Sequence, residues 1–195
     1  MTLMKPVPMW AGDPLLPHPV ENYWGKLTEE LMVLAFNICE GTEGLGPLID
    51  EGSIAHVFEV PRRPDLVVKI TQEFDDGYAK WLEQFVLINQ DNPHVPKVVL
   101  HMRLNNGQSV TIMERLTPFD DADPTVQVTQ QRKMLLTIAD ELGEGKMDAV
   151  LDLDMPEGIF EILDFLSQFN TDWLTIEEKN AMFRGETLVF TDPMI

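Results

Sequence analysis

The sequence predicts an α+β protein in which a strand-rich half precedes a helical half. Three observations carry this. Short apolar runs separated by turn residues crowd residues 46–118. Longer runs with helical spacing follow residue 124. A polar stretch, TPFDDADPT, lies at the border between them. The chain has 195 residues, 44% of them apolar and 24% charged, enough for one domain of moderate size or a small and a medium lobe.

The elements follow in order. Residues 5–19, KPVPMWAGDPLLPHP, hold five prolines, which exclude helix and make an extended arm that Trp10, Leu15 and Leu16 could pin down. Next, Thr28 caps an expected helix with Glu29 and Glu30 in its first turn, Leu31, Leu34, Ala35 and Ile38 on one face, and Gly41 near its end. LIDEGSIAHVFEV reads as two strands around a turn, and LVVKIT as a short buried strand. DDGYAKWLEQFVLINQ reads as a helix with Tyr78, Leu82, Phe85 and Ile88 at near-helical spacing. KVVLHMRL and SVTIMERL are strands joined through LNNGQ, a hairpin signal. VQVTQQRKMLLTIADELG is a helix ending at Gly143. MPEGIFEILDFLSQF is another, with Pro156 in its first turn and Ile159, Ile162, Leu163 and Leu166 on its buried side. NAMFRGETLVFTDPMI ends the chain with a Gly-Glu turn between two short strands.

Charge narrows the function classes. The net charge is −19, and residues 119–195 carry 17 acidic and 5 basic side chains, a balance of −12. Such a field repels nucleic-acid phosphates and attracts basic partners, or serves solubility alone. The one cysteine, Cys39, excludes an internal disulfide framework and fits a reducing cytosol. The histidines, His18, His56, His94 and His101, are scattered and argue against a zinc site. No run approaches the ~18 apolar residues of a membrane span, and MTLMKPVPMW lacks the apolar core of a secretion signal.

Several short motifs carry chemistry. DEGSIAHV has Gly52 and Ser53 where a backbone could approach phosphates, and an ordinary hairpin is the plainer reading. Lys69 lies inside LVVKI, where its ammonium must be paired or must snorkel from an edge strand. Glu83, on the following helix, is the natural carboxylate for it, with Glu73 a weaker alternative. Met113 and Glu114 end SVTIMERL. Asn180 opens the terminal hairpin and Asp192 closes it; each could instead cap a turn.

In this order the motifs resemble a protein-kinase-like fold, closest to the compact serine/threonine kinases among early bacteriophage proteins. The resemblance covers residues 46–195. It implies a two-lobed α+β fold: an arm and helix over 1–45, a β-rich N-lobe over 46–118, and a truncated helical C-lobe over 119–195. DEGSIAHV is similar to the kinase glycine loop, with Gly52 and Val57 matched and Asp50 and Ala55 replacing two glycines. Lys69 would pair nucleotide phosphates and be held by Glu83. Met113 would gate the adenine pocket, with backbone groups of Glu114–Leu116 facing the base. Asn-Ala-Met-Phe and Thr-Asp-Pro resemble the phage-type metal-binding segments, so Asn180 and Asp192 would hold Mg²⁺ beside ATP.

Two departures bear on activity. Thr175, not aspartate, stands five residues before Asn180. A threonine cannot take up the proton as a carboxylate does. Asp172 and Glu177 are the substitutes within reach. Ile195 follows Asp192 by three residues, where a kinase continues into an activation segment. The expectation is therefore a pseudokinase that binds and modulates a host protein, itself basic or nucleic-acid-binding, in the host cytoplasm, with no direct nucleic-acid or membrane contact. The alternatives are an active minimal ATP- and Mg²⁺-dependent serine/threonine kinase, with Asp172 as base, and an acidic mimic of nucleic acid.

Overall fold

The computed structural model describes Asn37 and residues 45–51, 55–71, 76–103, 109–170 and 174–194. The expected arm, the expected helix after Thr28, the Asn-Gly turn at 104–108, Gly52, Ser53, Glu73 and Asp172 lie outside the described residues. The protein is α+β, with sheets that are antiparallel throughout. The chain divides into two units. One contains the described residues to Thr71 together with Lys97–Arg115, and the other contains Asp76–Pro96 and everything from Leu116 on.

The first unit is a five-stranded sheet of β1 (Leu48–Glu51), β2 (Ala55–Val60), β3 (Arg63–Thr71), β4 (Val98–Arg103) and β5 (Ser109–Glu114), in the order β1-β2-β3-β5-β4. β-Branched residues fill the buried centres of β3 (Val67, Val68, Ile70) and β5 (Val110, Thr111, Ile112), which suits strands flanked on both sides. Alternation then sorts the two faces. Leu66, Val68 and Ile70 of β3 join Val60, Leu100, Met102, Val110 and Ile112 in one buried cluster. The intervening residues of β3, Val67, Lys69 and Thr71, point to the other face. The LVVKIT strand is thus central, and Lys69 does not snorkel from an edge.

The second unit begins with α1 (Asp76–Trp81), which continues into a π-helical turn over Leu82–Val86. The Leu87 N–H reaches back to the Leu82 carbonyl at 2.9 Å, a five-residue step. That wider turn corrects the expected helix. Leu82, Phe85 and Val86 face inward, whereas Ile88 is 74% exposed. Straight 3.6-residue spacing carried the buried stripe to Ile88; the extra residue in the turn rotates it away. Side chains finish the helix in place of a glycine cap. Asn89 donates to the Phe85 carbonyl at 2.9 Å, and buried Gln90 to those of Val86 and Pro96 at 2.8 and 3.1 Å.

Three helices follow. The Thr125 hydroxyl accepts the Val128 N–H at the start of α2 (Val126–Gly143), which spans the expected residues. The short α3 (Met147–Leu151) leads to α4 (Glu157–Leu166), where Pro156 stands just before the first turn. Ile159, Ile162, Leu163 and Leu166 are fully buried along α4, as their spacing requires. The chain closes with β7 (Ala181–Arg184) and β8 (Thr187–Phe190), which form a three-stranded sheet with β6 (Thr117–Pro118). Gly185, at φ +59°, supplies the left-handed residue of the tight turn between β7 and β8.

Aromatic rings fill this unit. Trp81 stacks on Phe85 at 5.2 Å, and Phe165 of α4 tilts against Phe85 at 4.9 Å. Trp81→Ala should therefore cost about 3–5 kcal/mol. Ile88→Glu, seven residues further along the chain, should change stability by no more than about 0.5 kcal/mol. Chemical denaturation of the two variants checks the register, because an unbroken α-helix would make both changes costly.

Candidate functional site

Each unit contributes its own set of candidate residues. In the first unit, Lys69 pairs across the sheet with Val57 on β2 and Thr111 on β5, and Thr111 pairs with His101 on β4. Paired residues share a face, so these side chains form one row. Val67 opposite Met113 forms the next row. Lys69 is half-buried, while His101 and Thr111 are buried and joined by a 3.0 Å hydrogen bond between ring Nδ1 and Oγ1. One step along, the Thr71 and Ser109 hydroxyls lie 3.0 Å apart, and Thr71 Oγ1 also accepts the Ser109 N–H at 2.9 Å. This sheet face is buried and hydroxyl-lined, with one half-buried lysine in it.

Glu114 has a structural task. Its carboxylate accepts the Lys97 N–H at 2.7 Å, and its own N–H donates to the Lys97 carbonyl at 2.9 Å. The Arg115 N–H goes to the Asp65 carbonyl at 2.8 Å. The N–H groups of Glu114 and Arg115 are thus committed within the sheet, so of the backbone groups over Glu114–Leu116 these two are not available to a base.

In the second unit, Asn180 and Asp192 are brought together by the hairpin between them. Ala181 pairs with Phe190, and the Asn180 carbonyl accepts the N–H of Thr191 at 2.9 Å and of Asp192 at 3.4 Å. The Asn180 side chain donates to the Thr175 carbonyl at 2.8 Å. Thr175 in turn donates its N–H to Pro193 at 2.9 Å, beside the bridge between Leu174 and Met194. Thr175, Asn180 and Asp192 therefore form one knot. The Thr175 hydroxyl is buried with no hydrogen-bond partner among the described residues. Glu177 is exposed and ion-paired to Lys179 at 2.9 Å. Glu83 sits half-buried in the π-helical turn of the second unit, and Lys69 belongs to the first. Among the described residues, no three His, Cys, Asp or Glu side chains gather as a metal site. No helix among them is long and apolar enough to cross a membrane.

The hairpin that holds Asp192 is anchored by a loop that the motifs did not single out. Asn92 accepts the His94 N–H at 2.8 Å and donates to the Gly158 carbonyl and the Glu161 carboxylate at 2.8 and 3.0 Å. Gly158 is required there, because a Cβ would lie 2.8 Å from Asn92 Oδ1. The buried His94 ring donates from Nδ1 to the Leu188 carbonyl at 2.7 Å, and its own carbonyl takes the Phe190 N–H at 2.9 Å. Arg184 donates to the Pro93 and Val95 carbonyls at 2.8 and 2.9 Å. From the other side, Gln131 accepts the Leu188 N–H, and the Arg132 guanidinium lies over the rings of Phe119 and Phe183. Scattered histidines in a sequence give little sign of this. The closest signal is the run Asn92-Pro-His between a helix and a strand.

Burial holds His94 below the usual histidine range, and the Arg184 charge adds to the effect against the Leu188 hydrogen bond. The folded state thus binds fewer protons here than the unfolded state. Stability from this site is complete above the unfolded pKa of ~6.5 and falls as the pH drops through it. Between about pH 7 and pH 5, melting should show a loss of stability that His94→Gln reduces; identical slopes in the two proteins would assign the loss to other groups. Separately, Asn180→Ala should cost about 1–3 kcal/mol by leaving the Thr175 carbonyl without its donor, read by denaturation at neutral pH. Comparison with protein-family models and with curated proteins finds none that matches the chain.

Proposed function

We propose that this chain is a kinase-like protein that works by binding another protein rather than by transferring phosphate. The supporting observation is Thr175. It sits in the knot with Asn180 and Asp192, five residues before Asn180, where the kinase resemblance calls for a carboxylate base. Its hydroxyl is buried. Glu177, the acid two residues on, is held at the surface by Lys179.

The nucleotide half of the reading remains chemically reasonable. With its amide nitrogen committed to Thr175, Asn180 offers its side-chain oxygen, and the Asp192 carboxylate lies on a neighbouring backbone. Mg²⁺ takes oxygen ligands, with one or two from protein and the rest from phosphates and water. Asn180 and Asp192 would hold the ion beside the phosphates. When bound, the ion would neutralise phosphate charge. The acidic balance of residues 119–195 supports a basic protein as partner, in a host cytoplasm if the chain is phage-encoded.

Incubation with labelled ATP and Mg²⁺ tests the main point. The expected result is no transfer above a Lys69→Met control; transfer abolished by that substitution would replace binding with catalysis. Mg-ADP at about a hundred times its Kd should add roughly 2.7 kcal/mol of stability. Asp192→Asn should remove that gain. An unchanged melting temperature in the parent protein would eliminate the nucleotide site and leave the partner role to be judged by capture alone.

A further inference from the structure

The second unit carries a surface groove of about 380 Å³ between α2 and the segment just before Asn180. Leu135, Leu136, Ala139 and Ile176 make its apolar lining, and Glu177, Glu178 and Lys179 border it. Leu135 and Ile176 are buried and form the floor. Leu136 remains 45% exposed. A lone exposed leucine needs no explanation. Here it borders a concavity more than twice the ~150 Å³ that accommodates benzene.

The charge on the groove's rim selects the occupant. Glu177 and Glu178 border it, and Asp140 lies one turn beyond Leu136 on α2. The rim's Lys179 is already paired with Glu177. At the far end of α2, Lys146 is paired with Glu141 and Glu144. Lys133, a turn before Leu136, is outweighed by these carboxylates. An acidic peptide would be repelled and a purely apolar one would gain nothing from the rim. We propose that this groove docks a basic peptide segment of a partner protein, with a leucine or phenylalanine side chain seated against Leu136 and Ala139. The proposal rests on the reading that the chain acts by binding a basic protein, and adds where and through which chemistry.

The probe is a fluorescein-labelled helical peptide with leucines along one face and arginines along the other, titrated against the whole chain. Leu136→Glu, at an exposed helical position, should weaken binding about tenfold or more. Glu178→Lys should weaken it less, and added salt should narrow that second difference. A peptide with serines in place of the leucines should bind weakly to every form. Equal affinity for the parent and Leu136→Glu proteins, equal affinity for the two peptides, or no binding at all would overturn the groove. Hydrogen exchange covers the case in which a variant folds poorly: the peptide should protect residues 135–139 and 176–179 of the parent chain, and protection elsewhere only would overturn the proposal. Phosphate transfer in the labelled-ATP assay would instead overturn the binding reading itself. The two failures are therefore read from different measurements.

Discussion

The second unit depends on a short polar stretch, residues 92–94, in which Asn92 and His94 are buried and hydrogen-bonded while Pro93 is exposed. Asn92 and His94 tie that stretch to α4 on one side and to β8 on the other. A buried amide or imidazole without partners would cost more than the packing around it could offset. With partners, it fixes position more sharply than apolar contact does. The β7–β8 hairpin inherits its place from this anchor. So do Asn180 and Asp192 at the hairpin's open end.

What was legible in the sequence follows from how local each signal is. The glycine ending α2, the apolar stripe of α4 and the Gly185 turn all act within a few residues, and each could be read directly. The β3 strand was legible, but its central place was not, because strand order depends on pairing between distant segments. The π-helical turn was missed for a similar reason. The spacing of Tyr78, Leu82 and Phe85 fits an α-helix, and only the bond from the Leu87 N–H back to the Leu82 carbonyl shows that a residue has been added. At the candidate site, Asn180 and Asp192 could be connected through the hairpin motif. The knot that brings Thr175 to both of them could not, since apart from the Asn180 amide it is made by backbone groups that any sequence possesses.

The two units use polar residues in contrasting ways. In the first, hydroxyls and an imidazole sit in register across a sheet face, satisfying one another beside Lys69. In the second, long side chains reach back to main-chain carbonyls: Arg184, Gln90 and Asn89 each do so. The first arrangement leaves a buried sheet face with chemical character. The second is spent on holding irregular backbone still, which a segment between a helix and a strand needs when it is buried.

The second unit is also discontinuous along the chain, with Lys97–Arg115 assigned elsewhere between its two parts. His94 and its acceptor Leu188 are 94 positions apart. On a ribosome adding about 5–20 residues per second, the imidazole waits roughly 5–20 s for the carbonyl it will bond. Throughout that interval water must serve the loop, and Trp81 and Phe85 have no Phe165 to cover them. The newborn polypeptide thus passes through a stage with greasy surface on show, a natural moment for a chaperone to hold it.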